Sequence, residues 1–279
     1  MDELQRTGLP LVDRAVFIIF IILIAIPAIS PLGLPISISS NTVEVYRQIE
    51  DLKSGDIAMW ITDFSVGTWG QVGPAEVAIY RHLFDLIRRK GIKVIVVTTY
   101  SVDGSLNAER ILREYVDTKG LKYGEDYVNL GWIPGYETTL MGMAKDFQSI
   151  VKTDAYGTPI DKLPMLRNVR SISDIALIGF STSTSPDPYP RQLGGYGKPL
   201  IINTLIATVP WALPYYEKKL ITGYIGAESD AAGYEKLTGM PGEGLRTLDA
   251  QTLSHIYGVG LIILGNIWYF TRKRGGGKA

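Results

Sequence analysis

Apolar residues are concentrated in two long runs, one near each end of the chain, with shorter apolar segments between them. The first run covers residues 15–36 and the second covers residues 253–270, and neither contains Asp, Glu, Lys or Arg. Eighteen helical residues extend roughly 27 Å, which is close to the thickness of a bilayer core. The pattern therefore predicts a transmembrane helix at 15–36 and another at 253–270.

The first run also fits a second interpretation. Ala28-Ile29-Ser30 has the small-x-small pattern that precedes a signal-peptide cleavage site. We favour an uncleaved signal anchor, in which Pro27, Pro31 and Pro35 end the helix near the far interface because proline removes a backbone donor.

Basic residues on the terminal side of both runs predict the orientation. They are Arg6, Arg14, Arg272, Lys273, Arg274 and Lys278. Since Lys and Arg next to a membrane span tend to stay in the cytoplasm, we expect residues 1–14 and 271–279 to form cytoplasmic tails. Residues 37–250 would then form an extracytoplasmic domain of a two-pass protein in the cell membrane.

Between the two runs, short apolar segments alternate with segments of helical periodicity. The strands are predicted at 56–65, 92–100, 127–132, 174–181, 200–203 and 220–225. The helices are predicted at 42–53, 75–90, 105–119, 137–152 and 204–218. Unbroken apolar strands are typical of parallel sheets that are covered on both faces. The order therefore predicts an α/β fold, a mostly parallel, Rossmann-like domain of three layers.

One part of this middle region has an alternative. Residues 199–216 carry no charge, so a third membrane span has to be considered. Three prolines and Asn203 make this stretch a poor spanning helix, and we expect a buried strand followed by an apolar helix. An interfacial or re-entrant segment is the other possibility.

Charge and composition exclude several classes of function. The chain has 28 basic and 28 acidic residues, and 22 basic and 25 acidic residues lie between positions 14 and 271. This balance gives no basic footprint for nucleic acid. The chain has no cysteine, which excludes disulfides, thiolate catalysis and cysteine-ligated metals.

Polar residues at the predicted strand ends form the candidate ligand-binding site, because ligands of doubly wound sheets bind beyond the carboxyl ends of the strands. The candidates are Asp63, Ser65, Ser101, Asp103, Glu137, Ser181, Ser183 and Asp230. The simpler alternative is that Ser and Asp serve only turns and helix caps here.

No complete catalytic constellation is visible. Gly67-x-x-Gly70-x-x-Gly73 follows a strand but matches neither the Walker motif nor the dinucleotide fingerprint. Neither histidine, His82 or His255, falls at a strand end, which disfavours a Ser-His-Asp hydrolase. Asp63 and Asp103 would suit Mg²⁺ or acid–base chemistry only if their strands were neighbours. The sequence assigns no catalytic residue, metal or cofactor.

The second apolar run has features of a helix that contacts another helix. Gly258 and Gly265 leave room for close approach, and Asn266 is costly to expose to lipid. We therefore expect a homo-oligomer or an assembly with other membrane proteins, with the lipid bilayer and a small-molecule ligand as further partners.

The C-terminal quarter of the chain, including residues 220–226, 231–239, 248–255 and 264–267, resembles an uncharacterised prokaryotic family of membrane-anchored proteins. The resemblance implies membrane attachment and transfers no functional residue. The expected function is that of a ligand-binding or assembly component of a membrane protein complex. The alternative is a membrane-tethered hydrolase or transferase that uses the strand-end carboxylates and serines.

Overall fold

The computed structural model describes residues 11–275, and the side chains of residues 13–271. The ends of the two predicted cytoplasmic tails, residues 1–10 and 276–279, lie outside the described residues. The chain divides into two units, one formed by Ile36–Gly244 and one formed by the two terminal segments.

The Ile36–Gly244 unit is built on a six-stranded sheet with the order β3-β2-β1-β4-β5-β6. The strands are β1 (Ile57–Asp63), β2 (Lys93–Thr98), β3 (Tyr127–Trp132), β4 (Leu177–Thr182), β5 (Leu200–Thr204) and β6 (Gly223–Ile225). All five neighbouring pairs are parallel. The predicted Rossmann-like α/β fold is therefore confirmed.

Helices cover both faces of the sheet. The helices of the chain are α1 (Leu11–Ile29), α2 (Ser40–Glu50), α3 (Trp69–Lys90), α4 (Val102–Glu114), α5 (Glu137–Lys145), α6 (Phe147–Ile150), α7 (Pro188–Leu193), α8 (Val209–Glu217), α9 (Glu228–Thr238) and α10 (Glu243–Gly275). Helices α2, α3, α4 and α9 bury one core, and α5 to α8 bury the other. Successive residues of β1 alternate between them, with Trp60 in the first core and Ile61 in the second. This alternation produces the three layers.

Helix α3 begins earlier than the sequence predicted. The helix was predicted to start at residue 75, but it starts at Trp69 and includes Pro74. The indole of Trp69 packs over Gly73, where an added Cβ would lie 2.8 Å from the ring. The same ring contacts Phe64, with centroids 6.1 Å apart. Packing of this indole stabilises a helical turn that the glycines alone disfavour.

Other boundaries also differ from the prediction. The helix predicted at 137–152 is broken at Asp146, whose carboxylate accepts from the backbone N–H of Ser149 and caps α6. The segment between β4 and β5, for which no helix was predicted, contains α7. Helix α2 begins at Ser40 rather than at residue 42, and Ser39 caps it, since its hydroxyl accepts from the backbone N–H of Thr42.

The uncharged stretch at 199–216 forms a strand and a helix. All residues of β5 are buried, and β5 pairs with β4 on one side and β6 on the other. Helix α8 follows and buries Ala212 in the second core. The predicted strand and helix are therefore present.

The terminal unit consists of α1, the turn that follows it, and α10 from Leu245 onwards. The Asp249 carboxylate accepts hydrogen bonds from the backbone amides of Leu32, Gly33 and Leu34 at 2.6, 2.9 and 3.1 Å. Further along, the Tyr257 hydroxyl donates to the carbonyl of Val16 at 2.9 Å. These contacts show that α1 and α10 run antiparallel.

One helix among the described residues is long and apolar enough to cross a membrane, over Glu243–Thr271 of α10. Its side chains from residue 261 to residue 271 are exposed. Large apolar side chains of α1, including Ile21 and Ile29, are exposed as well. The C-terminal run thus has the length and apolar surface of a membrane span.

Candidate functional site

The sheet order places a topological switch point between β1 and β4. The chain proceeds outwards from β1 to β2 and β3, then returns to the other side of β1 to form β4. The loops that follow β1 and β4 leave the sheet in opposite directions, and ligands of such folds bind in the crevice between them. Residues 64–68 and 183–187 therefore border the candidate site.

A hydrogen bond joins the two loops of this crevice. The backbone N–H of Ser65 donates to the Ser183 hydroxyl at 3.1 Å, so these two predicted site residues lie together. Ser65 also accepts from the Thr68 hydroxyl through its carbonyl, at 2.9 Å. Both serines thus hold the loop conformation at the mouth of the crevice.

Asp63 ends β1 directly beneath these loops and is fully buried. One carboxylate oxygen accepts from the backbone N–H groups of Thr99 and Tyr100, at 2.7 and 3.0 Å. The other accepts from the hydroxyls of Thr99 and Tyr189, at 2.6 and 2.7 Å. Burial raises the pKa of the Asp63 carboxyl, and these hydrogen bonds offset part of the increase. Asp63 therefore joins the loop after β2 and helix α7 to the end of β1.

Ser101 and Asp103 lie at the start of α4, beside the end of β2. Ser101 occupies the N-cap position but makes no side-chain cap hydrogen bond. Both residues are half-buried, and Asp103 lies in the first turn of the helix. Asp103 is accessible to solvent, whereas Asp63 is not. The two carboxylates therefore do not form a solvent-accessible pair that could bind Mg²⁺ or act as acid and base.

Glu137 and Asp230 stabilise local structure elsewhere on the sheet. Glu137, in the first turn of α5, accepts from Gln192 at 2.9 Å and forms an ion pair with Arg191 at 3.0 Å. The Asp230 carboxylate accepts from the amides of Gly226 and Ala227. It also accepts from the hydroxyls of Ser39 and Thr42, at 2.8 and 2.9 Å.

Ser181 belongs to a buried polar cluster around Glu76, a residue that sequence reasoning missed. One Glu76 carboxylate oxygen accepts from Trp60, Thr62 and Ser181, at 2.9, 2.8 and 2.9 Å. The other oxygen accepts from the Asn203 amide at 3.1 Å. Burial raises the pKa of Glu76 to about 7. The sequence does contain an indication of this cluster, because Glu76 lies on the apolar face of the predicted helix 75–90.

His82 lies inside α3, away from the strand ends, and makes contacts within the fold. It is almost fully buried in α3, and its ring nitrogens hydrogen-bond to the Tyr234 hydroxyl and the Glu50 carboxylate, each at 2.8 Å. Burial lowers the pKa of His82. His82 therefore joins α3 to α2 and α9.

Two open clefts flank the switch point, and sequence reasoning found neither. A cleft of about 570 Å³ beside the end of β3 is lined by Leu106, Glu109, Trp132 and Tyr156. Glu109 accepts there from the hydroxyl of Tyr156 at 3.0 Å. The second cleft, of about 630 Å³, lies along α8 and is lined by Asp187, Trp211, Tyr215 and Lys218. Aromatic side chains thus line clefts at the carboxyl end of the sheet, the end where ligands of this fold bind.

The three predicted membrane-helix residues all lie on α10. Apart from the neighbouring backbone of the helix itself, no atom of the described residues lies within 4 Å of an added Cβ at Gly258 or at Gly265. The Asn266 amide donates to the carbonyl of Ile262 on the same helix, at 2.9 Å. Their contact with another helix stays a prediction. Comparison of the chain with known protein families and with curated proteins finds no match.

Proposed function

We propose that this chain is a membrane-anchored α/β domain that acts as a binding or assembly component of a membrane protein complex. The supporting observation is a contrast at the carboxyl end of the sheet. The buried polar candidates Asp63, Ser181 and Asp230 are used in internal hydrogen bonds. Seven of the exposed side chains at this end are apolar or aromatic, and we call them the carboxyl-end rim: Val66, Tyr100, Val102, Leu106, Trp132, Ile206 and Trp211. Concentrated apolar exposure of this kind is typical of contact surfaces.

In this proposal α1 and α10 both cross the cell membrane. The basic residues at Arg272, Lys273 and Arg274 keep the C-terminal tail in the cytoplasm, and Arg14 does the same for the N-terminal tail. Residues 37–250 then lie outside the cytoplasm. The exposed apolar surface of α10 supports the C-terminal span of this topology.

Assembly is proposed to occur through α10. Gly258 and Gly265 are seven residues apart and share one face of the helix, whereas Gly260 lies on the opposite face. Asn266 is exposed next to the first face, and an exposed amide in lipid favours a helix partner. The glycine face would let a second copy, or another membrane protein, approach closely.

Light scattering of the detergent-purified chain tests this assembly. We expect a particle that contains more than one 30.7 kDa chain. Gly265→Ile, which adds bulk to the glycine face, should shift the particle towards the monomer. Gly260→Ile adds the same side chain to the opposite face and should leave the assembly intact. A wild-type chain that is strictly monomeric and captures no membrane protein would contradict the proposal.

A further inference from the structure

The two ends of the α/β unit differ sharply in charge. The segments that connect each strand to the next helix at the carboxyl end are 64–68, 99–101, 133–136, 183–187, 205–208 and 226–227. Asp187 is the only charged residue in all six segments. Charged residues make up 20% of the chain, so these connecting segments are depleted in charge, although the first helical turns that follow them carry Asp103, Glu137 and Glu228.

The opposite end of the same unit is rich in charge. The segments that lead into the strands carry both signs: Lys53, Asp56, Asp117, Lys119, Lys122, Glu125, Arg167, Arg170, Lys198 and Lys219. Helix α3 also ends there with Arg88, Arg89 and Lys90. This end has the composition of a surface that faces water.

The uncharged end also exposes large apolar side chains. Every member of the carboxyl-end rim is at least 45% exposed, and Ile206 reaches 63%. The rim residues follow β1, β2, β3 and β5, and neighbouring strands of a sheet are only about 5 Å apart. Trp132 and Trp211 are amphipathic aromatics of the kind enriched at membrane interfaces.

Both connections to the terminal segments leave the α/β unit at this same end. Ser39 donates to Asp230, whose other oxygen accepts from the amide of Gly226, the first residue after β6. At the other connection, an added Cβ at Gly244 would lie 2.8 Å from the backbone nitrogen of Ala232, in the first half of α9. The residue before it, Glu243, accepts from the Trp69 indole at the start of α3, at 3.3 Å.

Two rim residues lie next to these exits. Ile206 lies three residues before Val209. The side chain of Val209 packs against Gly226, where an added Cβ would lie 2.1 Å from it, and Gly226 is next to the exit at Ser39. Val66 lies in the short helical turn that leads into Trp69. The chain from Pro35 to Ser39 can span at most about 14 Å. The exit at Ser39 is therefore no farther than this from the end of the terminal segment that precedes it.

We propose that the carboxyl-end rim docks onto the lipid bilayer that anchors the chain, with its apolar side chains at the boundary between headgroups and acyl chains. This proposal rests on the proposed membrane anchoring. The bound surface is lipid rather than an acidic partner, because the connecting segments of this end carry no Lys or Arg. Burial of apolar surface, and not attraction to anionic headgroups, would drive the contact, so it should persist at high salt.

A spin-label experiment on the full chain tests the contact. Since the chain has no cysteine, single-cysteine variants each carry one nitroxide. The rim positions are V66C, I206C and W211C, the water-facing control is K119C, and the membrane-span control is I263C. The variants are reconstituted in phosphatidylcholine nanodiscs. For each nitroxide we measure its accessibility to oxygen, which partitions into lipid, and to a nickel complex, which stays in water. A high ratio of the first to the second reports contact with lipid.

We expect the rim labels to have a ratio severalfold above that of K119C, approaching that of I263C, both at low and at high salt. Rim labels as accessible to nickel as K119C would overturn the docking proposal while leaving the anchoring intact. Rim labels that are shielded from both reagents would also overturn it, because a protein partner would then cover the rim. A water-accessible I263C label would instead reject the membrane anchoring itself.

Discussion

At the scale of single residues, chain position predicted which side chains lie at strand ends, but not what they bind. Asp63 and Asp103 look alike in the sequence, yet Asp63 is fully buried with four donors and Asp103 is half-buried. The difference depends on Tyr189 of α7, which is distant in sequence and meets Asp63 only after folding. Sequence spacing carries no information about such a partner.

Alanine substitutions at these two aspartates should show that buried Asp63 stabilises the fold and that half-buried Asp103 does not. Asp63→Ala leaves four donors, three of them buried, without an acceptor, and we expect a loss of at least about 3 kcal/mol in the free energy of unfolding. For a chain of this size that corresponds to a decrease in the melting temperature of roughly 6–12 °C. Asp103→Ala, the matched control, should lower it by less than about 3 °C. Equal effects of the two variants on thermal unfolding would contradict the assignment.

Glu76 makes stability depend on pH. Its pKa is 4.5 in the unfolded chain and about 7 in the folded protein. The contribution of Glu76 to the free energy of unfolding is therefore fully present below pH 4.5 and is lost as the pH rises through 7. The loss amounts to about 3 kcal/mol. Glu76→Gln keeps the oxygen that accepts from Trp60, Thr62 and Ser181 but cannot ionise.

The test compares thermal unfolding of the wild type and Glu76→Gln at pH 5 and pH 8. The wild type should lose more stability than the variant over this interval, since the variant retains only the pH dependence of the other groups. The same decrease in both proteins would show that Glu76 does not titrate in this range.

At the scale of elements, apolar runs predicted all six strands, because strands covered on both faces must be apolar throughout. Helix boundaries were less predictable. The start of α3 depends on an indole that packs over Gly73, and the break after α5 depends on the capping carboxylate of Asp146. Both effects come from specific side-chain contacts that hydropathy does not report.

Two helical glycines should respond oppositely to the same substitution. A Cβ added at Gly104 in α4 would lie 2.0 Å from the carbonyl oxygen of Thr62, so Gly104→Ala forces the helix away from β1. We expect a destabilisation of about 1–3 kcal/mol. At Gly70 in α3, no atom of the described residues outside the neighbouring helix backbone lies within 4 Å of an added Cβ. Gly70→Ala should therefore stabilise the fold by up to about 1 kcal/mol. Chemical denaturation measures both, and a destabilisation by Gly70→Ala equal to that of Gly104→Ala would contradict the packing argument.

At the scale of the whole molecule, the alternation of elements predicted a Rossmann-like fold but could not give the order of the strands. That order depends on which side of β1 the chain returns to after β3, a choice made by packing between distant segments. The depletion of charge at one end of the sheet becomes visible only when the strand directions are known. The two clefts are likewise formed by segments far apart in sequence.

We propose that the α/β unit lies outside the cytoplasm, on a chain anchored in the membrane with both tails inside. The most direct test labels single-cysteine variants in intact cells with a maleimide that cannot cross the membrane. K119C, on the exposed surface of the α/β unit, should react at once, and A279C, in the basic tail, should react only after permeabilisation. Protection of K119C, or reaction of A279C in intact cells, would contradict the account.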